Sequence, residues 1–274
     1  MKAIEVRNLT KRFRENVALD SIYLELGLKE SVLVMGANGA GKTTLLRCIL
    51  GLIDFEGEVM VMGLDVRKKG KDVRRMVGYV PQQVRFPEEM TVYDLVDFVS
   101  DMKGVDITLE ETLSPFGLMD TVNSPVGSLS GGLRQRLAIA LSLIGNPRLI
   151  IMDEPFNNLD PMMRNTVHDM MREMMRGGKS LIVSIHNISG LITAFEKIVV
   201  LKEGRMVGVY HSEDVLRTLR PVYKVHVKSD NGWTTYRTED LFATLTELQE
   251  SGKDLRNAWI EEPDAEELLK FVGG

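Results

Sequence analysis

Residues 31 to 50 read SVLVMGANGAGKTTLLRCIL, and the fold turns on how that stretch is read. Its first five residues are apolar enough for a strand buried on both faces, Gly36, Gly39 and Gly41 punctuate the next six, and from Lys42 onward apolar residues recur at helical spacing. Strand, glycine loop and helix in that order form the setting in which G-x-x-x-x-G-K-[ST] means a phosphate cradle, and Gly36 to Thr43 satisfies it. Composition alone produces the pattern in about one chain of this length in a hundred, and the flanking elements make chance rarer still. Backbone N–H groups of the loop would wrap phosphates, Lys42 would reach the β- and γ-phosphates, and the Thr43 hydroxyl would hold Mg²⁺. The bland reading is a structural glycine turn.

Working outward, AIEVRNL and LDSIYLEL alternate like strands ahead of the loop, and GEVMVMG and MVGYVPQ add short strands after it. Residues from about 84 to 135 are mostly helical, an insert that interrupts the α/β order. RLIIMDEP, the helix DPMMRNTVHDMMREMMRGG, SLIVSIHN and KIVVLKEG then alternate strand and helix, the pattern of a parallel sheet covered on both faces. After about residue 205 the character changes to β, β, α, β, α, enough for a small α+β domain over 206–274.

Composition narrows the function. The chain has 274 residues, 44% of them hydrophobic, with 34 Lys and Arg against 39 Asp and Glu, so the net charge of −5 offers no basic footprint for nucleic acid. Cys48 is the single cysteine, which excludes an internal disulfide and a cysteine-rich metal site; in its helical context it reads as a buried, inert thiol. The N-terminus MKAIEVRNLTKRF alternates apolar and charged residues where a signal peptide needs an unbroken apolar run, and no apolar run reaches about 18 residues. A reducing cytoplasm fits.

RLIIMDEP ends an apolar strand in Asp153 and Glu154, which places two carboxylates at the sheet edge where α/β proteins bind ligands. One can serve a metal and the other can polarise a water for attack on the γ-phosphate. An acidic helix cap before Pro155 explains one carboxylate but hardly both. SLIVSIHN brings His186 to the same edge, whereas His168, His211 and His226 have no such context. Residues 128 to 136, SLSGGLRQR, look like a second phosphate cradle, a serine and two glycines opening a helix, yet contain no lysine.

These motifs, in this order, resemble the ATP-binding cassette (ABC) family over residues 1 to about 205. GANGAGKTT resembles the Walker A loop, YVPQQ the Q-loop with Gln82, LSGG the signature, IIMDEP Walker B, NNLDP the D-loop with Asp160, and SIHN the switch-histidine loop. The resemblance implies a P-loop NTPase fold of ABC type, a mostly parallel sheet with an antiparallel β subdomain and a helical insert. It implies ATP and Mg²⁺ as ligands. Gly36, Asn38, Gly39, Ala40, Gly41, Lys42, Thr43 and Thr44 would hold the phosphates, and Thr43, Gln82 and Asp153 the metal. Glu154, His186 and Gln82 would be catalytic. Phe13, in LTKRFREN, matches the aromatic on which adenine stacks, with an ordinary core phenylalanine as the other reading.

The resemblance also assigns the cradle without a lysine. Two cassettes dimerise head to tail, so Ser130, Gly131 and Gly132 of one would close on the γ-phosphate gripped by Lys42 of the other, with Asp160 linking the sites. The partner is a second copy or a closely similar ABC subunit. Leu133 stands where the family often has Gln; with Leu137, Leu141 and Ile144 at helical spacing, it begins a packed stripe. An apolar residue here, and the ending IEEPDAEELLKFVGG, also resemble the branch that serves ABC-2 type exporters. The methionines of PMMRNTVHDMMREMM follow helical spacing and read as core, not as a metal site.

Two functions remain in view. One is the ATPase of a transporter whose integral membrane permease is a separate chain, peripheral on the cytoplasmic face of the membrane, with no nucleic acid involved. The other is a soluble ABC ATPase acting on nucleic acid or ribosomes. Phe86, Tyr93, Val96 and Phe98 lie where the family receives the permease's coupling helix, though Val96 also reads as core.

Overall fold

The computed structural model describes residues 2–156, 159, 161–185, 192–218, 223–229 and 232–261. Among them the strands form three sheets. The first is antiparallel, built from β1 (Lys2–Phe13), β2 (Asn16–Gly27), β4 (Glu56–Val61) and the two-residue β5 (Leu64–Asp65), in the order β2-β1-β4-β5. The second carries the quoted stretch. Its order is β10-β9-β3-β8-β7-β6, from β3 (Ser31–Met35), β6 (Val77–Val80), β7 (Leu149–Asp153), β8 (Ser180–Ile185), β9 (Lys197–Lys202) and β10 (Arg205–His211). All neighbours in it are parallel except β10, which runs antiparallel to β9.

Buried central strands serve two cores by alternation, because successive side chains leave a strand on opposite faces. Leu33 and Met35 of β3, Ile150 and Met152 of β7 and Leu181 and Val183 of β8 face one core. Helices α3 (Val92–Lys103), α5 (Gly131–Leu143) and α6 (Pro161–Arg176) contribute Val96, Leu137 and Met171 to it. Val32 and Val34, Ile151 and Ile182 face the other, against α1 (Lys42–Ile49) and the antiparallel sheet. The methionine stripe belongs to the first core: Met171 and Met174 are buried in it, and Met163 and Met170 pack against it. Leu133 packs there too, in line with Leu137, Leu141 and Ile144. Cys48 is buried in the second core, where loss of water pushes its thiol up to about 12.

The structure adds two helices to the sequence reading. α2 (Gly70–Met76) buries only Val73, so its seven residues offer no apolar period to read. β10 and α7 (Ser212–Thr218) lie beyond residue 205, yet β10 hydrogen-bonds to β9 and Val215 is buried in the first core. The short α4 (Leu109–Leu113) completes the helical insert. The third sheet, β12-β11-β13, comprises β11 (Tyr223–Ser229), β12 (Gly232–Thr238) and β13 (Trp259–Glu261). Val225 and Val227 pack with Leu248 of α8 (Leu241–Glu250). His226 bridges Thr235 and Glu261 and stacks on Trp259, a structural role.

Candidate functional site

The glycine loop leaves β3 where the chain has no room for side chains. A Cβ on Gly36 would sit 2.4 Å from the Leu201 carbonyl oxygen, and one on Gly41 would sit 2.7 Å from the Ala18 carbonyl oxygen. Gly39 (φ 84°) and Gly41 (φ 102°) also hold left-handed backbone that other residues adopt at a cost. Gly41 caps α1 with no side-chain hydrogen bond, so the first N–H groups of this helix point into the loop without an internal acceptor. The Lys42 side chain turns back over the loop. Its Nζ donates to Gly36 O at 2.7 Å and to Ala37 O at 3.2 Å, and lies 3.5 Å from Glu154 Oε1.

That last distance joins the C-terminal ends of two parallel strands at one edge of the sheet. β7 stops at Asp153, and Glu154 then takes φ 48°, a left-handed conformation costing on the order of 1 kcal/mol or more for a residue with a side chain. Its backbone N–H donates to Ser184 O at 3.1 Å and to Ser184 Oγ at 2.9 Å. Turned this way, its carboxylate meets Lys42 through Oε1 and accepts from Gln82 Nε2 through Oε2 at 2.8 Å. Lys42 is 4% and Glu154 7% exposed, so the pair is largely out of water.

Asp153 is fully buried. Its Oδ1 accepts from the Ser184 hydroxyl at 2.5 Å, while Oδ2 is buried with no hydrogen-bond partner of good geometry. Burial raises its pKa above the usual aspartate value; the hydroxyls of Ser184 and Thr43 pull the other way, and the neighbouring Glu154 charge adds to the rise. A buried carboxylate oxygen with no well-formed hydrogen bond, beside the Thr43 hydroxyl at the start of α1, suits a divalent cation carried by a phosphate. The residues present therefore fit Mg²⁺ with a nucleotide.

Asn38, Gly39, Gly41, Lys42, Thr43, Thr44, Gln82 and Glu154 line one cleft of about 750 Å³. Asn16, Val17, Ala18, Glu203 and Gly204 complete its wall. Asn16 to Ala18 open β2 and Glu203 and Gly204 turn between β9 and β10, so they come from two different sheets, and no local pattern marks them. Phe13 stands at the adjoining hairpin, paired with Asn16, 48% exposed and with Lys11 Nζ 4.7 Å from its ring centre; it is not a core residue. Ser130, Gly131 and Gly132 do not line this cleft. Ser130 caps α5 by accepting from Leu133 N, and it is exposed, with nothing within 4 Å of where a Cβ would stand on Gly131 or Gly132. His186, Asp160 and most of the chain's last stretch lie outside the described residues. Val96 is buried, Phe86 is partly buried against the core, and Tyr93 and Phe98 are 47% and 53% exposed on α3.

Comparison with known proteins gives a consistent result. Residues 19–157 match the family model described as ABC transporter. The chain is 35% identical over 210 residues to a putative ABC transporter ATP-binding protein of Halobacterium salinarum, covering 74% of this chain and 90% of that protein. It is 29% identical over 225 residues to the Nod factor export ATP-binding protein I of Rhizobium etli, covering 80% and 71%. Among solved structures, the dimeric post-hydrolysis state of an ATP-binding cassette bound to ADP and Pi superposes with a TM-score of 0.69 at 27% identity, covering 76% of this chain and 98% of that one. A soluble cassette working on nucleic acid or ribosomes finds no support among them.

Proposed function

This chain belongs to the ABC transporter family, binds ATP and hydrolyses it, and on that premise we propose that it powers an exporter whose membrane-spanning part is a separate permease. The observation that carries the mechanism is Glu154, held by its left-handed backbone between the Lys42 ammonium and the Gln82 amide in the cleft. Backbone N–H groups of Gly36 to Thr44 and the Lys42 ammonium hold the β- and γ-phosphates. Lys42 exchanges the Glu154 carboxylate for phosphate oxygens as the nucleotide enters. Glu154, freed of that pairing, accepts a proton from the attacking water, and Gln82 and His186 orient it. Thr43, Asp153 and Gln82 are the residues for Mg²⁺, which when bound neutralises charge on the phosphate oxygens. Phe13 offers the face on which adenine stacks.

Exposed Ser130 and the open space over Gly131 and Gly132 support a cradle for the nucleotide of a second subunit, a copy of this chain or a close relative. Asp160 joins the two sites. ATP then closes the pair head to tail, and hydrolysis loosens it. Tyr93 and Phe98 offer exposed aromatic anchors for the permease on the cytoplasmic face. No helix among the described residues is long and apolar enough to cross a membrane, and the reading puts the permease on another polypeptide. Export rests on the named relative and on Leu133. The accessory domain is assigned to the part from β11 onward, and β10 and α7 are kept on the ATPase side. Affinity purification from detergent-solubilised membranes tests the reading: recovery with an integral membrane protein is expected, and recovery with ribosomes or DNA instead would overturn it.

A further inference from the structure

We infer that Ser184 is a positioning residue for ATP hydrolysis, setting both carboxylates at the end of β7 through one hydroxyl. The inference rests on the proposed roles of Asp153 and Glu154. β7 and β8 run parallel with Asp153 beside Ser184, so the serine faces the last residue of the strand and the first residue past it. Its Oγ donates to Asp153 Oδ1 at 2.5 Å and accepts from the Glu154 N–H at 2.9 Å. A hydroxyl has one proton, and here it goes to the carboxylate, which leaves the lone pair for the amide. The direction of both hydrogen bonds is therefore fixed.

Each bond has a consequence for the site. Holding Oδ1 stops the Asp153 carboxylate from rotating and leaves the buried Oδ2 as the oxygen available to a cation. Tying the Glu154 N–H to both Ser184 oxygens pins φ at 48°, and this turn, in place of continued extended strand, brings the side chain to Lys42 and Gln82. Ser184 is fully buried in the otherwise apolar run Leu181, Ile182, Val183 and Ile185. A hydroxyl there costs free energy unless bonded, and both of its side-chain bonds go to the catalytic end.

The test compares Ser184→Ala, Ser184→Cys and Ser184→Thr with Glu154→Gln on the purified chain. Steady-state ATPase, Mn²⁺ binding to the nucleotide complex by electron paramagnetic resonance, and thermal melting are read for each. Loss of a group that orients a metal-binding or reacting carboxylate typically costs about 10–100-fold, so kcat of Ser184→Ala should fall by about that factor with KM for ATP within about 2-fold. Mn²⁺ should bind more weakly, Ser184→Thr should recover most of the rate, and adding Ser184→Ala to Glu154→Gln should cost a smaller factor than it does in the wild-type background, because only the link to Asp153 is then left to lose. If Ser184→Ala fails to fold, Ser184→Cys, with its weaker donor, should turn over at an intermediate rate; wild-type turnover and Mn²⁺ affinity in whichever variant folds would overturn the inference. Should Glu154→Gln itself turn over normally, the assignment of the base is what fails, and Mn²⁺ binding still tests the link from Ser184 to Asp153.

Discussion

Replacing Glu154 by Gln keeps the shape of the side chain and removes its charge and basicity, so it separates two effects that the structure puts in one residue. The kinetic effect is loss of a general base, at least about 100-fold in kcat, or about 2.7 kcal/mol in the barrier. The second effect is electrostatic. Lys42 and Glu154 are almost fully buried with Nζ and Oε1 3.5 Å apart, and losing one partner of a buried pair can cost about 3–5 kcal/mol. Lys42 keeps its bonds to Gly36 O and Ala37 O, so about 1–3 kcal/mol is expected in the nucleotide-free protein. At a few degrees per kcal/mol, melting should move down measurably. ATP should reverse this, because its phosphates supply the anion that Lys42 lost and no longer meet the carboxylate's repulsion. Calorimetric melting with and without ATP, ATP binding by titration, and phosphate release form the assay. A variant that releases phosphate at near wild-type rate, or one that no longer binds ATP, would falsify the reasoning.

Lys42→Ala and Ser130→Arg should each be inactive alone and regain activity when mixed, because one composite site of a mixed dimer contains neither change; a mixture shown to form mixed dimers yet as inactive as its parts argues against a shared site. Tyr93→Glu should leave the ATPase of the isolated chain intact and weaken co-purification with membranes, and loss of the basal ATPase as well would mean that Tyr93 packs in the fold instead. Asp153→Asn should abolish turnover but raise the melting temperature of the nucleotide-free protein. The raised pKa of Asp153 means that the folded state binds its proton more tightly than the unfolded chain, so its favourable contribution is complete at low pH and is lost as pH rises through the folded value. The gain in melting temperature should therefore be larger at neutral pH than near pH 4, and equal gains at both would show that desolvation of the carboxylate is not the cause.

Residues 31 to 50 carried the phosphate loop by themselves, since strand, glycine turn and helix are decided by backbone conformations and apolar spacing within a few neighbours. The two-faced burial of β3, β7 and β8 was legible for the same reason, as unbroken apolar runs. α2 was not, because one buried valine in seven residues makes no period. β10 and α7 read as part of the change of character after residue 205, because strand pairing across a sheet leaves no trace in the strand's own pattern. The cleft shows the same limit: Asn16 to Ala18 and Glu203 to Gly204 line it only because two hairpins from different sheets converge on the loop. Ser184 carried no signal in the sequence reading; sheet order set it beside Asp153, and its two hydrogen bonds depend on that register to within a fraction of an ångström. Sequence alone thus determined which groups can bind phosphate and take a proton, chemistry that travels with residue type and local spacing. Tertiary structure decided how Glu154 is aimed, because residues 72 and 112 positions away hold it, and contacts so distant in the chain exist only once the sheet has formed.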